Sequence, residues 1–152
     1  MKVSDVMTKD PVVCLKSDSA QTVAALMKKH DIGSIPVVSD LESKRLQGIV
    51  TDRDLCLRII AENRNPELTP IEGLMTRDPI ICSGSDSLQK CETLMQENRI
   101  RRVPVVDRQG RCIGIIAQAD VVLHDSSDTV GKMLAAVSTP RVGGFVGSRD
   151  VA

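Results

Sequence analysis

The chain has 152 residues, of which 41% are hydrophobic and 26% are charged, with twenty basic residues balancing twenty acidic ones. This composition is typical of a soluble globular protein with its own core, and the balanced charge gives no overall field that would attract nucleic acid or an anionic membrane. Phe145 is the only aromatic residue. Because single-stranded nucleic acids are bound largely by stacking of bases on aromatic side chains, this class of function is disfavoured.

The sequence also argues against a secreted, membrane-spanning or metal-binding protein. No run approaches the roughly 18 apolar residues of a membrane span, and Met1–Asp5 lacks the apolar core of a signal peptide. The cysteines show no C-x-x-C spacing, the two histidines are isolated from them, and all five lie in apolar segments, at Cys14, Cys56, Cys82, Cys91 and Cys112. We therefore expect a cytoplasmic protein with buried, reduced thiols, no metal site and no required cofactor.

The sequence repeats itself. A shift of 68 residues aligns 3–39 with 71–107 and gives 15 identical pairs out of 37, and a shift of 66 aligns 45–60 with 111–126. Such self-similarity indicates a structure built from two copies of one unit. The two-residue difference between the shifts falls in the polar stretch 39–44, which predicts a hairpin loop there because loops tolerate changes in length.

Each copy predicts the same elements in the order β-α-β-β-α. A lead-in segment ends before a proline, because proline disfavours helical geometry in the residue that precedes it. A short β segment, an amphipathic helix that begins at an Asp-x-x-Gln capping box (Asp18 or Asp86), two strands and a second helix follow. The predicted strands are 12–14, 35–38 and 47–51 in the first copy and 80–82, 103–106 and 112–117 in the second, and the second helices are 52–61 and 118–125.

The repeats divide the chain into five segments. The predicted boundaries are repeat 1 at 1–61, a linker at 62–70, repeat 2 at 71–126, a C-terminal helix at 127–140 and a flexible tail at 141–152. The linker is polar and contains two prolines, and the tail is rich in glycine. One repeat alone leaves a sheet face uncovered, so we expect the two repeats to pack about a pseudo-twofold axis in an α+β fold, with ligand clefts between them.

Three motifs occur twice in the same order. They are Met7-Thr8-x-x-Pro11, Gly33–Val38 and Gly48–Leu55, each echoed 68 or 66 residues later. Over residues 1–126 the chain resembles the CBS-domain family, and specifically the tandem CBS pair known as a Bateman module. The resemblance implies a disc-like dimer of modules and regulation rather than catalysis. It also implies adenosine-containing ligands in the clefts between repeats: AMP, ADP, ATP, S-adenosylmethionine and, in some members, NAD or cyclic dinucleotides.

Thr51 and Asp54 are the candidate ribose-binding residues. An ionised carboxylate can accept hydrogen bonds from the vicinal 2′ and 3′ hydroxyls, and a threonine hydroxyl can bond to sugar or phosphate. Gly48 would let a ligand approach the backbone, and the new helix offers free amides and a positive dipole end to phosphate. The same Thr-x-x-Asp spacing also forms a helix capping box without any ligand. In the second copy Ala117 replaces the threonine while Asp120 is retained, so we expect the Asp120 cleft to bind a different ligand, to bind more weakly or to remain empty.

The other candidate residues come from the resemblance and from local charge. By resemblance, the adenine edge pairs with backbone near two proline-containing strands and aliphatic side chains sandwich the ring; these residues are Ser34, Ile35, Pro36, Val103, Pro104, Val12, Val13, Ile80 and Ile81. The span 99–111 holds five arginines and one aspartate, so Arg101 or Arg102 could pair with phosphates as a bidentate donor. A solvated basic turn is the alternative. Arg53 could add to the phosphate contacts or pair with the acids beside it.

These observations predict a stand-alone, homodimeric CBS pair that senses adenine nucleotides (AMP, ADP or ATP) or NAD and signals to a separate effector protein through a shape change. The alternative is a ligand-independent assembly module in which Asp54 and Asp120 only cap helices. An enzyme is disfavoured because no nucleophile–base pair or metal cluster is visible. No nucleic-acid or membrane partner is expected.

Overall fold

The computed structural model describes residues 1–125 and 128–139. Its strands are β1 (Thr8–Lys9), β2 (Cys14–Leu15), β3 (Ser34–Val38), β4 (Leu46–Thr51), β5 (Thr76–Arg77), β6 (Cys82–Ser83), β7 (Arg102–Val106) and β8 (Cys112–Ala117). Its helices are α1 (Val3–Val6), α2 (Ala20–His30), α3 (Asp52–Leu55), α4 (Leu88–Asn98), α5 (Gln118–His124) and α6 (Asp128–Ser138), with a π-helix (Cys56–Ile60) continuing α3 and a 3-10 turn (Ile71–Gly73) before β5. The order β-α-β-β-α occurs twice, which confirms the predicted α+β fold of two repeats.

Each repeat contributes its lead-in strand to the sheet of the other repeat. One sheet has the strand order β2-β3-β4-β5 and the other β1-β8-β7-β6. Strand β5 of repeat 2 pairs antiparallel with β4, with Gly48 opposite Arg77, and β1 of repeat 1 pairs with β8, with Lys9 opposite Gly114. Each sheet therefore has four strands rather than the three that one repeat supplies, and the exchange ties the two repeats into one unit.

Gly48 and Gly114 lie where the exchanged strands cross. A β-carbon on Gly48 would be 2.7 Å from the carbonyl oxygen of Thr76 and 2.9 Å from Sδ of Met75. A β-carbon on Gly114 would be 3.1 Å from the carbonyl oxygen of Thr8. The expectation that Gly48 admits a ligand to the backbone is therefore wrong, because the lead-in strand of the other repeat fills that space.

Serines cap the first long helix of each repeat. Ser19 Oγ accepts a backbone N–H of the first turn of α2 at 3.1 Å, and Ser87 does the same in α4 at 3.2 Å. Asp18 instead accepts the N–H of Leu15 at 2.9 Å and closes a turn before the helix. The predicted capping boxes at Asp18 and Asp86 are wrong by one residue, since serine and aspartate both cap helices well.

The core consists of two buried clusters, each formed mainly by one repeat and completed by the lead-in segment of the other, with Val3 in the repeat 2 cluster and Ile71, Leu74 and Met75 in the repeat 1 cluster. In repeat 2, α6 packs along α4 and buries Val130, Met133 and Val137, while the predicted tail at 141–152 lies outside the described residues.

Four of the five cysteines are buried, and burial raises the pKa of the Cys14 thiol to about 12. Cys56, which begins the π-helix, is exposed, so the prediction of five buried thiols is wrong at this position.

Candidate ligand clefts

Strand β4 ends and α3 begins at a cap formed by Thr51 and Asp54. Asp54 Oδ2 accepts the Thr51 backbone N–H at 2.9 Å and the Thr51 hydroxyl at 3.0 Å, and the Asp54 N–H donates to Thr51 Oγ1 at 3.2 Å. Hydrogen bonds among the described residues use only this one carboxylate oxygen. A carboxylate has about four acceptor positions, so the cap fixes the group and leaves Oδ1 without a hydrogen bond to a described residue.

The second copy of the motif keeps half of this arrangement. Asp120 Oδ2 accepts the Ala117 N–H at 2.8 Å, so the carboxylate is held against the backbone as Asp54 is. Ala117 has no hydroxyl, and the second contact to the carboxylate is lost. The two positions thus differ chemically, whereas a difference in ligand binding stays a prediction.

Arg102 reaches from repeat 2 to the Thr51–Asp54 cap of repeat 1. Its Nη2 atom lies 3.2 Å from the point that a β-carbon would occupy on Gly33, and Asp52 Oδ2 lies 2.9 Å from the same point. Asp52 is the first residue of α3, directly after Thr51. A guanidinium of one repeat therefore lies beside the candidate ribose-binding motif of the other, and we call the space between them the Asp54 cleft.

In the second cleft the counterparts of Asp52 and Arg102 are uncharged, while Arg101 takes the place of Gly33 and its carbonyl oxygen accepts the backbone N–H of Gln118 at 2.8 Å. Ser34 takes the place of Arg102 and is buried at the start of β3, and Gln118 stands where the first cleft has an acid. Gln118 Oε1 is buried without a hydrogen-bond partner among the described residues. Arg101 and Arg53 are exposed and take part in none of the ion pairs between described residues. Of the predicted arginines, Arg102 is therefore the one whose guanidinium lies beside Gly33 and Asp52 of the first cleft.

The predicted aliphatic residues lie in two crossover segments. Val12 and Val13 lie between β1 and β2, which belong to different sheets, and Ile80 and Ile81 lie between β5 and β6 in the same way. Each segment therefore passes from one sheet to the other at the boundary between repeats. Val12 and Val13 are half-buried, and the isoleucines are 38% and 44% exposed, so all four have surface to offer a ligand.

The two proline-containing strands present their side chains to the core. Ile35 and Pro36 in β3, and Val103 and Pro104 in β7, are all buried. Ile35 belongs to the core cluster of repeat 1 and Val103 to that of repeat 2. Contact between these strands and an adenine would therefore be through backbone atoms, which is the kind of contact that the resemblance implies.

Two concavities lie at the opposite end of β4 and β8 from the caps. One of about 540 Å³ is lined by Lys44 and Arg111 among others, and one of about 270 Å³ by Leu46 and Ile81 among others. Leu46 begins β4 and Thr51 ends it, about 17 Å away at roughly 3.3 Å per residue. Of the predicted site residues only Ile81 lines either concavity, so both are separate from the Asp54 cleft.

Glu92 of α4 is a buried acid that the sequence did not indicate. Its side chain is 0% exposed, and its carboxyl lies beside that of Asp125. Burial, together with the nearby carboxyl of Asp125, raises the pKa of Glu92 to about 7. The counterpart of Glu92 in repeat 1 is Ala24, which is exposed, and in the described part of the chain no helix covers α2 as α6 covers α4.

The described residues form neither a metal-binding cluster nor a membrane-spanning helix. Among residues 1–125 and 128–139, no three or more His, Cys, Asp or Glu side chains are grouped so that they could hold a metal ion. None of the helices in that part of the chain combines the length and apolar character that crossing a membrane requires.

The chain belongs to the CBS-domain family. The family model for the CBS domain matches residues 3–61 and 71–127. One relative, the CBS domain-containing protein YhcV of Bacillus subtilis (strain 168), is 35% identical over 137 residues, which make up 90% of this chain and 94% of the relative.

Solved structures of CBS pairs show the same fold. CBSX2 of Arabidopsis thaliana, solved in complex with AMP, is 29% identical with a TM-score of 0.69, covering 80% of this chain and 93% of that one. The CBS domain pair of protein MJ0100, in complex with 5′-methylthioadenosine and S-adenosyl-L-methionine, is 29% identical with a TM-score of 0.72, covering 81% and 98%. These similarities confirm the predicted family and the tandem arrangement of a Bateman module.

Proposed function

We propose that this protein is a regulatory CBS pair that binds an adenosine-containing ligand in the Asp54 cleft and passes a change of shape to an effector protein. One observation carries the proposal. The Asp54 carboxylate is fixed by a cap that uses only Oδ2, while a guanidinium from the other repeat lies beside the same cap. A ribose diol on Asp54 and a phosphate on Arg102 would place one nucleotide across both repeats.

Helix capping does not compete with this function. The capping hydrogen bonds fix the orientation of the carboxylate before a ligand arrives, so less conformational freedom is lost on binding. The alternative of a ligand-independent assembly module takes the cap to be the whole role of Asp54. The two readings predict different results for a ligand titration, because the assembly module has no nucleotide to bind.

The ligand class follows from charge and from similar proteins. Structures of similar CBS pairs contain AMP, or 5′-methylthioadenosine and S-adenosyl-L-methionine. Arg102 favours the phosphate-bearing members of this class, which here are AMP, ADP, ATP or NAD. The second cleft offers Asp120 without the threonine hydroxyl and has Ser34 in place of Arg102, so we propose that it binds the same nucleotides more weakly.

The proposed mechanism is a population shift. A ligand that contacts Asp54 of repeat 1 and Arg102 of repeat 2 favours the relative orientation of the repeats in which both contacts form. The shift is limited by the difference in affinity of the ligand for the two orientations. The protein itself is regulatory rather than catalytic, and the effector reads the altered surface.

The proposal includes a homodimer through the second helix of each repeat. Exposed apolar side chains lie there on both repeats: Leu57 at 38%, Ile60 at 76%, Val122 at 39% and Leu123 at 79%. Burying such a surface against a second copy is favourable. Light scattering after size exclusion should give twice the mass of one chain for the wild type and for the loop control Leu41→Glu. It should give a monomer for Ile60→Glu combined with Leu123→Glu.

A thermal-shift panel with adenosine, AMP, ADP, ATP, NAD and S-adenosylmethionine tests the ligand proposal. A ligand that binds only the native state raises the melting temperature with concentration, and at one hundred times Kd the stabilisation is about 2.7 kcal/mol. We expect a concentration-dependent rise with at least one phosphate-bearing nucleotide. No rise with any compound at millimolar concentration would leave the assembly module as the better explanation.

A further inference from the structure

The guanidinium of Arg102 and the carboxylate of Asp52 lie on either side of one small space. The space is the one left by the missing side chain of Gly33, where Nη2 and Oδ2 lie within 3.2 Å and 2.9 Å of a single point. Asp52 Oδ1 accepts the N–H of Arg53 at 2.8 Å, which leaves Oδ2 directed at this space. The ion pairs between described residues do not include one between Asp52 and Arg102.

The Asp52 carboxylate changes what the nearby Arg102 guanidinium can bind. Opposite charges a few ångströms apart attract each other even in a solvated setting, and a carboxylate repels an incoming phosphate over the same distance. Asp52 is exposed, so salt weakens both effects without removing them at this short range. The carboxylate is thus both a competitor for the Arg102 guanidinium and a negative charge beside the phosphate position.

We infer that Asp52 is a specificity-determining residue that limits the negative charge of the ligand accepted by the Asp54 cleft. This inference rests on the proposed function and adds a selection among phosphate-bearing ligands. The positive charge of Arg102 balances the charge of about one phosphate. Repulsion from the Asp52 carboxylate reduces the affinity that each additional phosphate would add. The second cleft has Gln118 in place of Asp52 and Ser34 in place of Arg102, so this selection is specific to the first cleft.

The experiment compares ligands that differ in charge and little else. Dissociation constants for adenosine, AMP, ADP and ATP are measured by isothermal titration at fixed magnesium-free ionic strength for the wild type, Asp52→Asn, Arg102→Gln and the double variant. Glu42→Gln, which removes an exposed acid from the loop between β3 and β4, is the matched control. We expect Asp52→Asn to leave adenosine unchanged and to tighten ATP about threefold to tenfold, with AMP and ADP between them.

The pattern across variants decides the inference. In the Arg102→Gln background the gain from Asp52→Asn should shrink to less than half, because much of it comes from releasing the guanidinium. Equal gains for adenosine and ATP, a full gain in the double variant, or a similar gain from Glu42→Gln would each overturn the role of Asp52. Failure of the wild type to bind any of the four ligands would overturn this inference, while the proposed function would be decided by the wider thermal-shift panel, which includes NAD and S-adenosylmethionine.

Discussion

Thr51 donates both its backbone N–H and its hydroxyl to the same oxygen of Asp54, at 2.9 Å and 3.0 Å. Two donors on one oxygen fix the carboxylate against the end of β4, and the other oxygen has no hydrogen bond to a described residue. The geometry is that of a helix cap, and it leaves Oδ1 of Asp54 as an acceptor without a partner among the described residues. The two roles can be separated experimentally, because an amide retains the first and lacks the charge needed for the second.

Replacing Asp54 with asparagine should therefore weaken ligand binding without unfolding the cap. The asparagine carbonyl oxygen can still accept the Thr51 donors, whereas charge-assisted hydrogen bonds to a ribose are lost. We expect Asp54→Asn to change the free energy of unfolding by less than about 0.5 kcal/mol and Asp54→Ala to lower it by about 1 kcal/mol. Chemical denaturation measures these stability changes. Ligand titration should show that both variants bind nucleotide at least about tenfold more weakly than the wild type.

Asp120→Asn is the matched control for that prediction. It removes the same charge from the second cleft, so the stronger nucleotide site should keep its dissociation constant. If Asp54→Asn and wild type bind AMP or ATP equally well, the ribose-binding assignment of Asp54 is incorrect and the carboxylate only caps α3.

The repeat pattern allowed most local elements to be predicted, because helical and strand periodicities are properties of neighbouring residues. Exchange of the lead-in strands was not predictable in the same way. Thr8–Lys9 and Thr76–Arg77 are two-residue strands, and nothing in their sequence identifies the sheet that they join. Gly48 did signal a close approach, but a glycine alone does not tell whether a ligand or another strand takes the space.

Neither the burial of Glu92 nor the position of Arg102 could be predicted from the sequence, because both depend on packing between distant segments. The apolar face of α4 contains Cys91 and Met95, so the helical pattern places a glutamate one residue away from Cys91 on the solvent side. Packing of α6 on α4 covers that side as well. Arg102 was recognised as a candidate cation, but only the fold shows that its guanidinium lies beside Gly33 and Asp52 of the other repeat.

Adding a hydroxyl at position 117 should make the two clefts more alike. In Ala117→Thr the new hydroxyl can accept the Asp120 N–H and donate to its carboxylate, as Thr51 does for Asp54. We expect the free energy of unfolding to rise by about 0.5 to 1 kcal/mol. Isothermal titration should show the weaker nucleotide site tightening at least about threefold, the equivalent of one modest hydrogen bond.

Ala117→Val is the matched control, because valine has nearly the shape of threonine and lacks the hydroxyl. It should reproduce neither the stabilisation nor the tighter binding. If valine gives the same gains as threonine, β-branching at the end of β8 is responsible and the missing hydroxyl does not explain the inequality of the clefts.

Glu92 should make the stability of the fold depend on pH. Its carboxyl has a pKa of about 7 in the folded protein against an ordinary value of 4.5. Between these values the folded state binds more protons than the unfolded state, so the free energy of unfolding falls as pH rises through this window. The full loss is about 3 kcal/mol and is complete once the pH exceeds the folded-state pKa.

Glu92→Gln removes the titrating group and keeps its volume and its neutral form. The free energy of unfolding, measured by denaturant titration from pH 4.5 to 8, should fall by about 3 kcal/mol for the wild type and stay nearly constant for this variant. Glu97→Gln, an exposed glutamate on the same helix, should retain the wild-type slope. Equal slopes for wild type and Glu92→Gln would show that the buried carboxyl does not titrate in this range.

Two glycine substitutions should change stability in opposite directions. In Gly48→Ala the new carbon would meet the Thr76 carbonyl oxygen at 2.7 Å, and that oxygen belongs to backbone that cannot rotate away. We expect a loss of about 1 to 3 kcal/mol, typical of overpacking. Gly131 lies inside α6 with no heavy atom within 4 Å of an added carbon, so Gly131→Ala should gain up to about 1 kcal/mol from helix propensity.

The Gly48 substitution should also affect binding, because displacement of β5 moves the crossover that carries Ile80 and Ile81. We expect Gly48→Ala to weaken nucleotide binding at temperatures where the variant remains folded, while Gly131→Ala leaves binding unchanged. Urea denaturation followed by ligand titration measures both effects on the same samples. A Gly48→Ala protein as stable as the wild type would contradict the close passage of β5 over β4, and with it the exchange of strands between the repeats.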